Sequence, residues 1–432
     1  MSLYSQGVST VLQSPALDAA KSYMQSKFYR TTKEIQHNTI LNRGIIELLG
    51  ADIPTAFTEL IMRNWKSAVE SAFRITYYFI NSLVIPTLIV PFLNKLAKSK
   101  FDLPKDFKKS FYTEFEDLLP EKRTDRDCEK FIGKLKDLEG EDAVKSFLGN
   151  DSKEHKNKIH DFMDKLIKAK SYVVKSDVLV GGLLTYFVPW TTTWFSKKVL
   201  GVTSYVGELD YLDSGQQEES IRFHEKTKYL KFGLGLLPTI FGSNWYSNKV
   251  YEVATKTQEE IQDNSVSKFV RRNIKQYDYH RGIYANKLNI AGTVLFGGDF
   301  GFLLSCRSLN ELIEKTLRLA VFWPTMFFGV EWVNYKLSEN QDKKYGTSIV
   351  DYESPKELGI RQVKSLETLE EELIKAEKEG DNERIRLASG SIKGQVSNYW
   401  KSILIDSVVM GVGLTSANII GTKIRVEKFG IY

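Results

Sequence analysis

Six stretches of the chain are almost free of charge: Ile75 to Asn94, Val178 to Ser196, Phe232 to Asn248, Leu288 to Cys306, Leu319 to Tyr335 and Ser402 to Thr422. A bilayer's hydrocarbon layer takes about 20 apolar residues as helix, and the first two stretches meet that length without an internal charge. The others are shorter or interrupted. Asp299, Glu331 and Asp406 each fall inside one, and the third has a polar tail. A central aspartate costs about 2.5 to 3.5 kcal/mol on the insertion scale, enough to cancel the apolar residues around Asp299. Such a segment enters a membrane only when neighbours hold it, with its acid facing protein or water. Tyr77, Tyr78, Trp190, Trp194, Trp245, Tyr246, Trp332 and Tyr335 gather in these runs and toward their ends. Aromatic belts at membrane interfaces have that pattern, and so do aromatics closing a soluble core.

Proline recurs inside the runs. IPTLIVPFLNK, LPTIFGSNWYSNK and WPTMFFGVEWVNYK each carry Pro-Thr within apolar residues, and VPWTTTWFSKK is a looser version. Proline removes a helical hydrogen bond and clashes with the carbonyl four residues back. Pro86, Pro189, Pro238 and Pro324 are therefore candidate kinks. The following Thr hydroxyl is placed to bond back to the preceding turn. The third run, short and broken by Pro238, is expected to re-enter or to lie in the interface. Lys and Arg counts near the run ends are similar on both faces, so orientation does not resolve.

Between the runs the pattern changes to charged, helix-periodic connectors. TTKEIQHNTILNRGIIELLG reads as an amphipathic helix with Thr31 and Glu34 as a capping box and Gly50 as its end. The chain from 99 to 176 reads as a charged helical subdomain, with turns near Pro120 and Gly149. The connector 249–287 interleaves basic and aromatic residues in VRRNIKQYDYHR. From 337 to 400 the spacing predicts a helical hairpin. Ser354, Pro355 and Glu357 supply a start signal, Leu366, Leu369 and Leu373 share a face, and Gly380-Asp381-Asn382 forms the turn. The expected organisation is amphipathic N-terminal helices over 1–70, a first membrane segment over 71–98, the subdomain over 99–176, segments two to five over 177–336, the hairpin, and a last segment with a basic tail over 401–432.

Averages temper this picture. Charged residues make up 26% of the 432-residue chain, and the mean hydropathy is -0.28. Both are ordinary for a soluble protein. The charge of +6 is too mild to favour nucleic acid and suits loops facing anionic head groups. Two distant cysteines, Cys128 and Cys306, suggest neither a disulfide framework nor a zinc site. The first residues lack the basic and apolar regions of a cleavable signal peptide.

No catalytic constellation is legible. There is no GxSxG, HExxH, Walker loop or dinucleotide fingerprint, and the chain is expected to be non-catalytic with no cofactor. The cluster of His155, His160, Asp161 and Asp164 lacks further ligands, so no metal is expected. Charges in apolar settings are the functional candidates, since such groups inside a membrane are usually paired or functional. They are Asp299, Glu331, Arg318 and Asp406, with Asp177 beside them; Asp177, Arg318 and Asp406 also suit simple markers of segment ends. The expected fold is all-α, a multi-pass membrane protein with kinked apolar helices and charged connectors. Its expected partners are the lipid bilayer and a protein or second copy. The expected function is that of an integral membrane structural or assembly protein acting through a partner or self-association; the alternatives are a channel or transporter using Asp299 and Glu331, and a soluble or peripheral helical lipid-binding protein.

Overall fold

The computed structural model describes residues 15–62, 65–149, 152–203, 214–261, 264–354, 356 and 359–429. It is all-α, about 83% helical. Among the described residues the only strands are the two of a short hairpin, Tyr279–His280 paired with Tyr284–Ala285. The chain forms two compact units. One comprises Met1–His37 and Pro324–Val409, the other Asn38–Trp323 and Met410–Tyr432.

In the larger unit, Ser152–Phe195 is the central helix. It packs against Trp65–Lys100, Ser214–Thr255 and the helical stretch 287–304. Trp65–Lys100 runs antiparallel to it. Phe73 stacks on Phe195 at 4.1 Å, Pro86 lies against Gly181, and Phe101 meets Tyr172 at 5.9 Å. From Tyr172 to Phe195 the helix rises about 34 Å at about 1.5 Å per residue, close to the hydrocarbon thickness of a bilayer. Glycine sets the closest approach. A Cβ on Gly297 would stand 1.9 Å from the carbonyl oxygen of Gly182, so the central helix and the 287–304 stretch touch backbone to backbone. A charged cap of shorter helices, Asp125–Glu139, Glu141–Leu148 and Ser265–Arg272, completes this unit together with the strand hairpin.

Two helices here are inverted relative to a water-soluble bundle. On Trp65–Lys100 the residues turned outward between Trp65 and Phe92 are Trp65, Val69, Ala72, Thr76, Ile80, Val84, Leu88, Pro91 and Phe92, with no charge among them. Leu88 is 70% exposed. The buried face of the same helix carries Ser67, Glu70, Ser71, Arg74, Asn81 and Ser82. On Ser214–Thr255 the outward residues from Tyr229 to Asn248 are likewise uncharged, and Gly235, Thr239, Ser243 and Ser247 line the inward face at four-residue spacing. Two helices, Trp65–Lys100 and Glu154–Leu200, are long and apolar enough to cross a membrane by length and composition.

The smaller unit is built around the long helix Asn382–Phe429 as far as Val409. Its core joins Leu17, Ala20 and Tyr29 of the N-terminal helices to Leu366, Leu369 and Leu373, and to Ile385, Ile392 and Val396. Helix Leu366–Glu379 turns through Gly380, left-handed at φ 68. The apolar face of Leu366, Leu369 and Leu373 is thus covered by the chain's own N-terminal helices.

Several local expectations are corrected. Leu366–Glu379 starts at Ser365, whose side chain accepts from Thr368 N. Ser354 instead donates to the Asp351 carbonyl at 2.7 Å within a turn, and Pro355 and Glu357 lie outside the described residues. Thr31 and Glu34 sit inside helix Lys27–His37. The next helix is capped by Asn38, which accepts from Leu41 N, and Gly50 lies within the π-helical turn Glu47–Asp52, not at a terminus. The third run is not broken at its proline. Pro238 lies inside the unbroken helix Ser214–Thr255, where Thr239 donates to the Phe296 carbonyl at 2.6 Å. The hairpin's second arm and the last run form one helix, Asn382–Phe429. Pro189 is likewise inside a helix. Pro86 follows the π turn Ile80–Val84, and Pro324 precedes the π turn Thr325–Gly329. Thr87 bonds back to the Leu83 carbonyl at 2.7 Å.

Candidate functional site

The larger unit contains a partly open cavity of about 110 Å³. The helical stretch 39–62 contributes Glu47, Asp52 and Thr55 to its wall, and Trp65–Lys100 contributes Arg74, Ile75 and Tyr78. Asp299 and Phe302 come from the 287–304 stretch, and Arg318 and Phe322 from Leu309–Pro324. Three acids and two arginines thus share a space otherwise walled by apolar and aromatic groups. Asp299 accepts from the Trp323 indole at 2.7 Å. Arg318 donates to Thr55 Oγ1 at 3.1 Å and lies 3.9 Å from Glu59 and 3.8 Å from Glu314. Burial raises the Glu47 carboxyl well above the usual carboxylate range, and the charge of Asp52 raises it further. Burial also raises Asp52, against the pull of Arg74 and Arg318. At neutral pH this acid pair therefore retains protons that exposed carboxylates would have lost.

The cavity adjoins a buried ion network. Arg307 Nη2 pairs with Glu70 at 3.0 Å, and its backbone N–H donates to Glu311 at 2.6 Å. Glu311 also pairs with Lys315 at 2.9 Å. Burial alone would raise Glu311, but Lys315 and Arg307 together hold it far below the usual range. The ring of Phe302 stands between network and cavity, with Lys315 4.4 Å from its centroid and Arg74 5.3 Å from it. Desolvated charges in such a chain are tolerable because nearly every one has an opposite partner within reach.

Of the four sequence candidates, Asp299 and Arg318 meet in this cavity. Glu331 and Asp406 belong to the smaller unit. Glu331 is half-buried in the first turn of Val330–Tyr345. Asp406 is buried with its carboxylate against Gly329, where a Cβ would fall 1.8 Å from its Oδ1. Asp177 is buried and accepts from the Tyr279 hydroxyl at 2.8 Å. His160 lies 3.3 Å from the Cys128 sulfur, and Asp164 pairs with Arg123 at 2.7 Å.

Glu47, Asp52, Glu70, Arg74, Arg307 and Glu311 escape a reading based on uncharged runs, because each lies outside them. The usable signal was the helical face shared by Ser67, Glu70, Ser71 and Arg74, opposite Trp65, Val69, Ala72 and Thr76. No family, no curated protein and no solved structure matches the chain.

Proposed function

We propose that the chain is a multi-pass integral membrane protein that moves protons or a small ion through the charged interior of its larger unit. One observation carries the reading. From Trp65 to Phe92, helix Trp65–Lys100 turns an uncharged face outward and its serines, acid and arginine inward. In water this arrangement exposes apolar surface while desolvating charge, two costs with no return. In lipid the outward face is solvated by acyl chains, and the inward charges pair with one another. Ser214–Thr255 repeats the pattern, so at least three helices of the larger unit, counting the central one, are read as crossing. The cavity with Asp299, Arg318 and Arg74 is the place on that inward side where an ion or proton meets both charge signs.

Assembly through the 337–400 hairpin would need its apolar face for a partner or second copy, and the N-terminal helices of the chain occupy that face. Transport is therefore favoured over assembly. The test is in two stages. Alkaline carbonate should leave the protein in the membrane pellet. The purified protein in sealed liposomes should then dissipate an imposed pH or ion gradient, and Asp299→Asn should slow it severalfold while inserting normally. Release by carbonate ends the membrane reading. Flux no faster than in protein-free liposomes ends the transport reading.

A further inference from the structure

The cavity of the larger unit holds two charges of opposite sign that do not pair with each other. Arg74 is 8% exposed, lines the cavity and makes no ion pair among the described residues. Its guanidinium donates to Ser71 Oγ at 3.2 Å and lies over the Phe302 ring. Asp299 is 7% exposed, lines the same cavity and accepts from the Trp323 indole, with no cation at ion-pair distance among the described residues. Tyr78 follows Arg74 by four positions, on the same helical face. Its hydroxyl reaches Gly298, where a Cβ would fall 2.7 Å from it, next to Asp299. That hydroxyl makes no hydrogen bond among the described residues, and it can donate or accept. Arg318 already has Thr55, Glu59 and Glu314. Glu47 and Asp52, both raised by burial, add proton donors to the wall more than they add charge. Arg74 and Asp299 are thus the two charges left without a partner.

We infer that this cavity binds a small zwitterion of the amino-acid kind, with its carboxylate on Arg74 and its ammonium on Asp299. The inference rests on the transport reading above and names the class of small ion. A lone anion would answer Arg74 and face the like charge of Asp299. A lone cation would do the reverse. A molecule that bears both charges leaves neither buried group uncompensated. Volume points the same way. A water-sized species fills about 10 to 15 Å³ of such a space, and the cavity offers about 110 Å³. That is room for a few heavy atoms beyond a bare ion. The apolar wall of Ile75, Leu319 and Phe322 suits the carbon that joins the two charged groups.

The experiment titrates the purified full-length protein in detergent at neutral pH with glycine, acetate and methylammonium, the last two carrying one charge each. Glycine should bind at least about tenfold more tightly than either. Arg74→Gln should weaken glycine at least about tenfold while methylammonium binds no worse than to the parent. Asp299→Asn should weaken glycine likewise and spare acetate. The retained single-charge ligand shows that each variant is folded, and the comparison within the parent needs no variant. Absence of glycine binding overturns the proposal. So does glycine binding no tighter than acetate or methylammonium, or an affinity for glycine that survives both substitutions. Failure of the transport reading shows separately, as liposomes that lose a glycine or proton gradient no faster than protein-free ones.

Discussion

Gly182 and Gly297 meet backbone to backbone, leaving no room for a single methyl group on Gly297, which would fall 1.9 Å from the Gly182 carbonyl oxygen. The contact holds the 287–304 stretch against the central helix and so positions Asp299, two residues on. Small residues allow this kind of close packing where apolar burial supplies little drive. Gly297→Ala should cost about 1 to 3 kcal/mol by overpacking. Thermal unfolding in detergent measures it, and an unchanged melting temperature would contradict the contact.

Arg307 is caught between Glu70 and Glu311, all three buried. Removing one partner of a buried pair strands the other charge, at about 3 to 5 kcal/mol. Arg307→Met should be that damaging. Adding Glu70→Gln and Glu311→Gln should restore part of the loss, because the stranded acids are then gone. Denaturant unfolding of the single and triple variants separates a paired network from independent surface charges, for which the effects would simply add.

The Glu47–Asp52 site makes stability fall with rising pH. Glu47's carboxyl is raised in the fold by burial first and by Asp52 second. A folded value above the unfolded one means the native state binds the proton more tightly. Its stabilising contribution is complete below the unfolded value and disappears as pH climbs through the raised one. Melting temperature should therefore drop between mildly acidic and alkaline pH, and Glu47→Gln should flatten that drop. A parent protein that grows more stable across this range would refute the assignment.

Leu373 lies at the centre of the smaller unit's core, 1% exposed among Leu17, Ala20 and Ile385. Leu373→Ala should destabilise this unit by about 2 to 5 kcal/mol. Limited proteolysis of the N-terminal helices should accelerate in parallel. If the variant instead unfolds normally and only loses a bound protein, the hairpin face serves a partner after all.

The apolar runs and the Leu366–Leu373 face were legible because their periodicity is local and composition marks it. The charge cluster was not. Glu70 and Arg74 stand four apart beside Ser67 and Ser71, which in isolation looks like the wet side of an amphipathic helix. Only the opposite face, free of charge from Trp65 to Phe92, reverses the assignment. Glu70 and Arg307 lie 237 positions apart, and no local pattern joins them. Ser354 and Ser365 offer equally good helix starts by residue type. Asp351 settles the matter by accepting the Ser354 hydroxyl and backbone N–H, leaving Ser365 to begin the helix. Asp299 was found because it interrupts an apolar run, and Arg318 because it precedes one.

The distance along the chain between Glu70 and Arg307 also bears on biogenesis. The ribosome finishes helix Trp65–Lys100 long before it makes Arg307, and during that interval Glu70 has no Arg307 to pair with. Under the membrane function proposed above, the nascent segment would then wait in a hydrated translocation channel or beside a holding factor, and its release into lipid would be a late, collective event timed by the synthesis of Arg307.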